Sequence, residues 1–412
     1  MELKPGYKQT EVGVIPEDWD VKLVADVLRF RSGKAHEQFI SDTGTYVCVN
    51  SKFISTDGRI RKYSKENFSP AKKGDILMVM SDIPNGQALA SAYFVEVDNI
   101  YAVNQRICAL TAYRDLPKYL FYILDRNPYF LGFDNGVSQT NLLNNVFQKC
   151  PIPIPATVSE QRSIATVLSG VDAILAELEK LIAKKRAIKQ AAMQELLTGK
   201  RRLPGFEGEW EVKRLGEIGK CHRGVSYKGE ADLIPHDTAN TIRLLRSNNV
   251  QDSFVKTAEL KHVNSKRVAT HQILTRDDIV ICMANGSKAL VGKAGRFQVS
   301  DGYEYTFGAF MGCFRTIPAK ADPGFAFYLL QTDRYQRLIG DLLAGSSINN
   351  LKPSSVESLE FLFPERSEQQ AIVAVLSDID AELTYLAHRR DSIQEIKRGM
   401  MQQLLTGKIR LR

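Results

Sequence analysis

The chain has 412 residues, of which 44% are hydrophobic and 25% are charged, and its formal net charge is +8. This composition excludes a disordered chain, and the length leaves room for two or three globular domains. Because the sequence has neither an apolar run of about 18 residues nor an N-terminal signal pattern, it predicts a cytosolic protein with no membrane partner. The net charge favours a nucleic-acid partner, although a generic basic protein has the same composition.

The cysteines are scattered through the chain, and none belongs to a CxxC pair. A structural zinc site needs ligands at such a spacing, so the sequence predicts no metal site and free, buried thiols. The cysteines are Cys48, Cys108, Cys150, Cys221, Cys282 and Cys313.

Residues 1–156 predict a mixed α/β domain. Runs rich in β-branched and aromatic residues, such as Asp75–Met80 and Arg106–Leu110, are separated by Gly, Asn, Asp and Ser clusters, which is typical of strands joined by turns. Residues 117–125 then predict one helix. Asp75 begins its strand, and we interpret it as a turn former and not as a catalytic acid.

Residues 157–202 predict one long helix, and residues 365–412 predict a second. Ser159–Leu203 and Ser367–Leu411 align at an offset of 208 without a gap, with 22 of 45 positions identical. A helix of roughly 40 residues is about 60 Å long, and its apolar stripe needs a partner. We therefore expect the two helices to pair with each other; two separate surface helices, one on each domain, are the alternative.

Local signals predict where both helices begin and end. Ser159 and Ser367 are the expected N-caps, and Gln370 is expected to complete a capping box in the second copy. The Thr-Gly pairs at 198–199 and 406–407 are the expected stops.

The apolar residues of both helices are spaced alternately by four and three, which indicates a coiled coil over about three heptads. Arg390 and Lys397 interrupt the second series. The predicted seam consists of Ile164, Leu168, Val171, Leu175, Leu178, Ile182, Ile372, Leu376, Ile379, Leu383, Leu386 and Ile393.

Residues 203–364 predict a second domain that repeats the first. Trp210–Lys213 repeats the Trp19–Lys22 motif, and Asp278–Cys282 repeats the strand at Asp75. The order is domain, helix, domain, helix, and the repeat closes in a circular sense. The predicted fold class is α+β, with two mixed α/β domains separated by two long antiparallel helices that form a coiled coil, related by a pseudo-two-fold axis.

Two related domains held apart by a rigid rod suit a target that has two parts. Duplex DNA offers half-sites roughly 34 Å apart, and an object with two-fold symmetry contacts both from one face. Because the two domains differ in sequence, the half-sites need not match.

This duplicated order resembles the specificity (S) subunits of type I restriction-modification systems over essentially the whole chain. The resemblance rests on the two Trp-[Asp/Glu]-Val-Lys motifs and on two long helices that begin Ser-Glu-Gln and end Leu-Leu-Thr-Gly-Lys. It implies a non-catalytic subunit whose target-recognition domains select a bipartite, asymmetric sequence in double-stranded DNA, with a spacer set by the helices.

The same resemblance implies partners that carry the chemistry. Two methyltransferase (M) subunits would dock on the helices and methylate adenine with S-adenosylmethionine, and restriction (R) subunits would translocate and cleave DNA with ATP and Mg. No cofactor, catalytic residue or metal ligand is expected in this chain.

Polar loop residues are the candidate DNA contacts, because Arg or Lys recognises guanine and Asn or Gln recognises adenine. For each of them an ordinary solvated turn residue is the alternative, and we expect at most half to touch DNA. Asn141 and Asn350, which the two domains share, are expected to hold their loops or to contact phosphate. The candidates are Arg29, Arg31, Lys34, Asn85, Gln87, Gln139, Thr140, Asn141, Arg223, Tyr227, Lys228, Asn285, Ser287, Lys288, Ser347, Asn349 and Asn350.

Two other functions remain open. A stand-alone DNA methyltransferase is disfavoured, because the sequence has neither a glycine-rich methyl-donor loop nor an Asn-Pro-Pro-aromatic tetrapeptide. Gly286–Lys293 departs from a phosphate-binding loop by one extra residue, and Ala294 stands where that loop needs a hydroxyl group. A coiled-coil scaffold with tandem protein-binding domains is the second alternative.

Overall fold

The computed structural model describes residues 5–82, 88–134, 140–251, 253–344 and 349–411. The chain divides into two compact units: unit 1 is Met1–Glu179 with His388–Arg412, and unit 2 is Lys180–Ala387. Each unit contains one globular part with helices and strands and one segment from each of two long helices. In the described part of the chain, no helix combines the length and the apolar character needed to cross a bilayer.

The globular part of unit 1 is built from short strands and short helices. The strands are β1 (Tyr7–Thr10), β2 (Gly13–Pro16), β3 (Asp20–Leu23), β4 (Leu28–Ser32), β5 (Tyr46–Val49), β6 (Lys62–Ser64), β7 (Ile76–Val79), β8 (Ser81–Asp82), β9 (Ala92–Phe94), β10 (Tyr101–Val103), β11 (Ile107–Ala112), β12 (Thr140–Asn141) and β13 (Pro151–Ile154). The helices are α1 (Val24–Val27), α2 (Ser51–Ser55), α3 (Pro117–Leu124), α4 (Pro128–Leu131), α5 (Asn144–Gln148) and the long helix α6 (Val158–Leu196), which continues into unit 2.

The globular part of unit 2 follows the same plan. Its strands are β14 (Glu211–Arg214), β15 (Gly219–Arg223), β16 (Leu233–Ile234), β17 (Thr241–Leu245), β18 (Val250–Gln251), β19 (Phe254–Val255), β20 (Lys261–Asn264), β21 (Ile279–Cys282), β22 (Ala294–Arg296), β23 (Tyr305–Phe307), β24 (Met311–Thr316) and β25 (Glu360–Phe363). Its helices are α7 (Leu215–Ile218), α8 (Pro323–Leu329), α9 (Asp333–Ala344), α10 (Pro353–Glu357) and the long helix α11 (Arg366–Leu404).

Strand β7 lies inside the four-stranded sheet of unit 1, which has the order β4-β11-β7-β9. All four residues of β7 are buried. Ile76 and Met78 belong to the core that contains Trp19, whereas Leu77 and Val79 belong to a second core under the β10-β5-β6 sheet. A strand that is covered on both faces carries a continuous apolar run, so its sequence does not alternate.

Strand β21 has the same position in unit 2, in a sheet with the order β15-β24-β21-β22-β19-β18. Ile279 and Ile281 face one core, and Val280 and Cys282 face another. The second core lies between this sheet and the β16-β20-β17-β23 sheet. Phe307 of β23 belongs to that core. Both globular parts therefore stack one sheet on another and cover the outer face of the larger sheet with helices.

The predicted N-caps are wrong by two residues. Helices α6 and α11 begin at Val158 and Arg366, so Ser159 and Ser367 lie inside the first turn. In the first copy the Thr157 hydroxyl accepts a hydrogen bond from the Glu160 amide at 3.2 Å and so provides the cap. With this start, Gln370 falls too far along α11 to complete a capping box.

The predicted stops are confirmed. Helix α6 ends at Leu196 and α11 at Leu404, and the glycine that follows each has a left-handed backbone, with φ of 70° at Gly199 and 67° at Gly407. A glycine adopts this conformation without a steric penalty, which ends the helix.

The tryptophan motif of unit 1 meets the start of α6 at a buried carboxylate. Trp19 Nε1 donates to Glu160 Oε2 at 3.2 Å, and Arg410 donates to both Glu160 oxygens at 2.6 and 2.9 Å. Arg410 also forms two 2.8 Å bonds to Asp18. One ionic cluster thus joins the Trp motif, the Ser-Glu-Gln motif and Arg410, which lies two residues after the Leu-Leu-Thr-Gly-Lys motif.

The corresponding cluster of unit 2 has the same geometry. Trp210 Nε1 donates to Glu368 Oε2 at 3.2 Å, and Arg202 donates to both Glu368 oxygens at 2.6 and 2.7 Å. Side chains of Glu160 and Glu368 are only 3% and 2% exposed. Arg202 Nη1 donates to the Gly208 carbonyl. Among the described residues, the Arg202 guanidinium has no carboxylate partner besides Glu368.

Candidate nucleic-acid interface

Strands β4 and β7 of unit 1 end at the same edge of their sheet. Both pair antiparallel with β11, and Cys108 is opposite Ser32 on one side and Met78 on the other. The loops that follow β4 and β7 therefore emerge side by side. We call this end of the sheet, with Lys34, Met80–Asp82, Asn104–Arg106 and Asn141, edge 1.

Backbone hydrogen bonds fix the segments of edge 1 to one another. Met80 N–H donates to the Arg106 carbonyl at 2.9 Å, and Leu142 N–H donates to the Met80 carbonyl at 2.8 Å. Lys34 N–H donates to the Val103 carbonyl at 3.0 Å. Three loops that are distant in sequence thus form one rigid surface.

Unit 2 has a corresponding edge with the same hydrogen bonds. Gly312 in β24 is opposite Arg223 of β15 and Ile281 of β21. Met283 N–H donates to the Phe310 carbonyl at 2.8 Å. Leu351 N–H donates to the Met283 carbonyl at 2.7 Å, and Val225 N–H donates to that of Phe307 at 2.8 Å. We call the surface formed by 223–228, 284–288, 308–310 and 349–350 edge 2.

Two glycines make the close approach at these edges possible. A Cβ on Gly33 would lie 2.0 Å from the Asn104 carbonyl oxygen, and one on Gly224 would lie 2.1 Å from that of Gly308. No side chain fits at that distance, so both positions require glycine. The short Gly-Lys and Gly-Val segments after β4 and β15 are therefore fixed against the neighbouring turn.

The candidates in unit 1 have different environments. Lys34 is exposed at edge 1, and its ammonium group has no partner in the described residues. Arg31 is tied to the fold, because it donates to Ser69 Oγ at 2.6 Å and to the Pro70 carbonyl at 2.8 Å. Arg29 is exposed, but its pairing with Thr111 places it three residues before the end of β4.

The polar loops of unit 1 meet at edge 1 as far as they are described. Thr140 pairs with Asp82, and Asn141 pairs with Ser81, in the two-stranded β12-β8 ladder. Asn141 is exposed. Candidates Asn85, Gln87 and Gln139 lie outside the described residues.

The candidates in unit 2 converge on edge 2. Arg223, Lys228, Ser287 and Lys288 are exposed there, and Tyr227 is half-buried. Their side chains supply cations and two hydroxyl groups with no side-chain partner in the described part of the chain, which suits contact with DNA phosphates or bases.

The asparagines of edge 2 join its two loops. Asn285 Oδ1 accepts from the Ser287 amide at 2.9 Å, which holds the 284–288 turn. Asn285 N–H bonds the Asn349 carbonyl at 3.4 Å, and Asn350 bridges to Ala284. Asn350 pairs through its backbone, so the expectation that the shared Asn-Leu position holds its loop or contacts phosphate stays a prediction. Candidate Ser347 lies outside the described residues.

Two residues of these edges were missed from the sequence. Arg106 and Phe310 are both exposed, and Phe310 is 66% exposed. The sequence predicts Arg106 as the first residue of a strand and assigns Phe310 to no element, because nothing local marks either turn as part of the edge. Their place at the edges is shown by backbone hydrogen bonds between distant segments, from Met80 to Arg106 and from Met283 to Phe310.

The aspartates that begin the central strands are turn formers, as predicted. Asp75 accepts from the Lys72 amide at 2.9 Å and from the Thr111 hydroxyl at 2.6 Å. Asp278 accepts from the Thr275 amide at 2.7 Å and binds Arg315 at 2.6 Å. In the described residues, no group of three or more His, Cys, Asp or Glu side chains is placed to hold a metal ion.

The cations at edge 2 are arginine and lysine side chains, and His222 lies next to them. Burial, followed by the nearby positive charge of Arg315, lowers the pKa of His222, so its imidazole is neutral over more of the physiological range. Adjacent Arg223 supplies the fixed positive charge.

Comparison with known proteins gives the family. The model of the type I restriction modification DNA specificity domain matches residues 16–190 and 207–398. A type I restriction enzyme EcoKI specificity subunit from Escherichia coli is 31% identical over 201 residues, which cover 48% of this chain and 42% of that protein. The chain thus spans less than half the length of this relative and of its Salmonella potsdam counterpart.

Other relatives extend over nearly the whole chain. The MjaVIII specificity subunit of Methanocaldococcus jannaschii is 23% identical over 97% of this chain and 94% of its own. The fold is similar to that of the type I restriction-modification S subunit from M. genitalium, with a TM-score of 0.62, 15% identity and 98% of both chains covered.

A second solved structure, described as showing complex assembly and conformational transition of a type I R-M system, has a TM-score of 0.56 at 17% identity, over 96% of this chain and 99% of its own. The family model covers most of the chain, and it matches both halves of the repeat. The resemblance carried by the duplicated motifs is therefore confirmed, and the chain belongs to the type I restriction-modification DNA specificity family.

Proposed function

We propose that this chain is the DNA-recognition subunit of a type I restriction-modification complex and that it has no catalytic activity of its own. Its two domains, residues 1–156 and 203–364, would bind the two halves of a bipartite, asymmetric site in double-stranded DNA. One observation carries this proposal: edge 1 and edge 2 share their backbone hydrogen bonds but present different side chains. A shared backbone arrangement that carries different side chains suits two related domains that recognise different DNA sequences.

Exposed cations support the choice of DNA as the target. Lys34 and Arg106 lie at edge 1, and Arg223, Lys228 and Lys288 lie at edge 2, all without an ion-pair partner among the described residues. Unpaired cations at an edge attract DNA phosphates. This electrostatic contribution to the binding free energy falls steeply as the salt concentration rises.

We also propose that the long helices, within 157–202 and 365–412, pair antiparallel as a coiled coil and set the spacer between the half-sites. Contacts inside unit 1 support this proposal. Arg410 bonds Glu160, Met400 lines a cavity of about 370 Å³ together with Val167, and Lys397 bonds Asp172 at 2.6 Å. As the residue number rises from Glu160 through Val167 to Asp172, that of the matching residue falls from Arg410 through Met400 to Lys397.

Contacts inside unit 2 follow the same order. Arg202 bonds Glu368, Lys189 bonds Asp380 at 2.6 Å, and Lys185 bonds Glu382 at 2.7 Å. All twelve predicted seam residues are buried or half-buried. Because Lys397 and Asp380 are each 208 residues after Lys189 and Asp172, the two units use equivalent ion pairs. This equivalence supports a pseudo-two-fold relation between the halves of the repeat.

The helices also offer a surface for partner subunits. Val167, Ile174, Leu181 and Ile188 of α6 are all exposed. They recur every seven residues, as the residues of a helix-packing stripe do. We propose that methyltransferase subunits dock on this stripe, that they bring S-adenosylmethionine, and that restriction subunits join them with ATP and Mg.

Methylation mapping tests the proposal. The chain would be co-expressed with its methyltransferase subunits in a host, and methylated adenines would be mapped over the genome. We expect one bipartite motif with a fixed spacer, which disappears when this chain is omitted. Methyl transfer by the purified chain alone would contradict the non-catalytic assignment, and methylation without any bipartite motif would contradict the recognition role.

Binding to random duplex DNA separates this function from that of a protein-binding scaffold. We expect retention of random duplex that weakens as salt is raised, with a slope that falls by about 0.9 for each phosphate contact removed. Lys34→Ala and Lys228→Ala are the variants expected to reduce the slope. An absence of DNA binding at low salt, with the methyltransferase subunits present, would favour the scaffold.

A further inference from the structure

Arg106 and Phe310 occupy the same structural position in the two units. Each is the residue immediately before the central antiparallel strand, β11 or β24. The Arg106 carbonyl accepts from the Met80 amide at 2.9 Å, and the Phe310 carbonyl accepts from the Met283 amide at 2.8 Å. These residues therefore stand at matching points of edge 1 and edge 2, with side chains of opposite character.

We propose that Arg106 and Phe310 are specificity-determining residues, one in each domain. Arg106 binds a guanine in the major groove of one half-site, and Phe310 contacts the methyl group of a thymine in the other. This inference rests on the proposed DNA-recognition function and assigns residues to it. Arginine bonds the O6 and N7 acceptors of guanine with two donors, and an apolar side chain contacts the thymine methyl group.

The turn that carries Arg106 is held rigidly, which leaves its guanidinium as the free group. Asn104 Nδ2 donates to Glu37 at 2.9 Å, and Gln105 Nε2 donates to the same carboxylate oxygen at 3.2 Å. The Asn104 side-chain oxygen accepts from the His36 amide at 3.2 Å. Arg106 is exposed, and its side chain has no hydrogen bond or ion pair among the described residues. A fixed turn with one unpaired cation is preorganised for a single directed contact.

Phe310 has an exposed aromatic side chain, although backbone hydrogen bonds hold its turn against the rest of the domain. The residue as a whole is 66% exposed, whereas the next residue, Met311, is fully buried. The Phe310 carbonyl also accepts from the Ala284 amide at 3.1 Å, which fixes the turn against the 284–288 loop. Exposed Arg223 and Lys288 belong to the same edge. An exposed apolar ring on an edge that also carries exposed cations suits a surface that contacts both base edges and phosphates.

Control positions exist on the same two strands. Arg114 is exposed just beyond the opposite end of β11, and Ile317 is 41% exposed just beyond the opposite end of β24. They match Arg106 and Phe310 in charge or apolar character but lie away from the two edges. Arg114→Ala and Ile317→Ala are therefore the controls for Arg106→Ala and Phe310→Ala.

The experiment maps methylated adenines in hosts that express the full chain, wild type or variant, with its methyltransferase subunits. With Arg106→Ala we expect the motif to lose its preference at one G·C position of one half-site, by roughly ten-fold or more, while the other half-site is unchanged. Phe310→Ala should relax one T·A position in the other half-site. Phe310→Leu, which keeps an apolar group, should retain most of that preference, and the two controls should leave the motif unchanged.

Several results would overturn the inference. A methylation motif that stays intact in both alanine variants would overturn it. An equal fall in methylation at all sites, with no change of motif, would also overturn it. For Phe310 that result would indicate contact with a protein partner. Relaxation at positions other than G·C for Arg106 would also contradict the assignment. If the wild-type complex produces no bipartite motif at all, the proposed function itself fails, and this outcome is distinct because it precedes any variant.

Discussion

Lys397 Nζ lies 2.6 Å from Asp172 Oδ1, and the same carboxylate accepts a 2.6 Å hydrogen bond from the Tyr122 hydroxyl. Tyr122 belongs to α3, so this triad joins the globular part of unit 1 to both helix segments of that unit. Lys397 interrupts the apolar series of α11, and the ion pair gives its ammonium group a partner at that position. A charged residue on a helix seam loses hydration, and a direct partner compensates for that loss.

A double-mutant cycle on Lys397 and Asp172 tests this triad. The two side chains are 22% and 36% exposed, so we expect a coupling energy of about 0.5–1 kcal/mol between Lys397→Ala and Asp172→Ala. Urea unfolding of the single and double variants measures it. The pair Arg398 and Glu395, 68% and 66% exposed, is the control and should couple by less than about 0.5 kcal/mol. Equal coupling energies in both cycles would show that the triad stabilises the fold no more than an exposed ion pair does.

Glu160→Gln should destabilise unit 1 strongly. This carboxylate is 3% exposed and holds Arg410 and Trp19, so a neutral amide leaves a partly buried guanidinium with Asp18 alone. Breaking one side of a buried ion pair costs about 3–5 kcal/mol. We expect a loss near the lower figure, measured by chemical denaturation.

Glu368→Gln is the matched change in unit 2 and should cost more. Arg202 has no carboxylate other than Glu368 among the described residues, whereas Arg410 keeps Asp18. The control is Glu195→Gln, whose side chain is 49% exposed and 3.5 Å from Arg201, and it should change stability by no more than about 0.5 kcal/mol. A Glu368 variant that is as stable as the wild type would refute the role of the cluster.

Gly33→Ala should disturb edge 1. The added methyl carbon would lie 2.0 Å from the Asn104 carbonyl oxygen, which is backbone and has little room to move. Overpacking of this kind costs about 1–3 kcal/mol or more, and we expect the free energy of unfolding to fall by at least that. Gly286→Ala is the control, since nothing lies within 4 Å of its Cβ position, and it should be nearly neutral. Equal stability of the two variants would contradict the close approach.

The internal repeat predicted the long helices and the order of the domains, because a pattern repeated over 45 residues is a strong signal. The strand at Ile76–Val79 and the helix at Pro117–Leu124 were also predicted, since both are short apolar runs bounded by polar residues. The N-cap prediction failed in the first copy because Thr157, two residues before Ser159, differs little from serine in capping strength.

Edge 1 was harder to predict because it depends on pairing between distant segments. Lys34, Arg106 and Asn141 come from three loops, and only the register of β4, β11 and β7 brings them together. Local patterns do not encode that register. Arg31 illustrates the same limit: its charge suggested a DNA contact, whereas its donors are used by Ser69 and Pro70.

The six cysteines are free and buried, which confirms the sequence prediction. Burial raises the pKa of the Cys48 thiol to about 11 and the pKa values of Cys150 and Cys221 to about 12. Only the thiolate reacts with alkylating agents, and at pH 8 a thiol with a pKa near 11 is ionised to about one part in a thousand.

We therefore expect iodoacetamide at pH 8 to leave all six thiols of the folded protein unmodified over a time in which denatured protein reacts at all six, as counted by mass spectrometry. Ser300→Cys places a thiol on an exposed residue and should react in the folded state, which controls for the reagent. Raising the pH to 9 should increase any slow labelling of Cys48 about ten-fold, because the thiolate fraction rises by that factor below the pKa. Rapid labelling of Cys48 at pH 8 would show that its core opens readily, since a closed core shields the thiol and keeps it protonated.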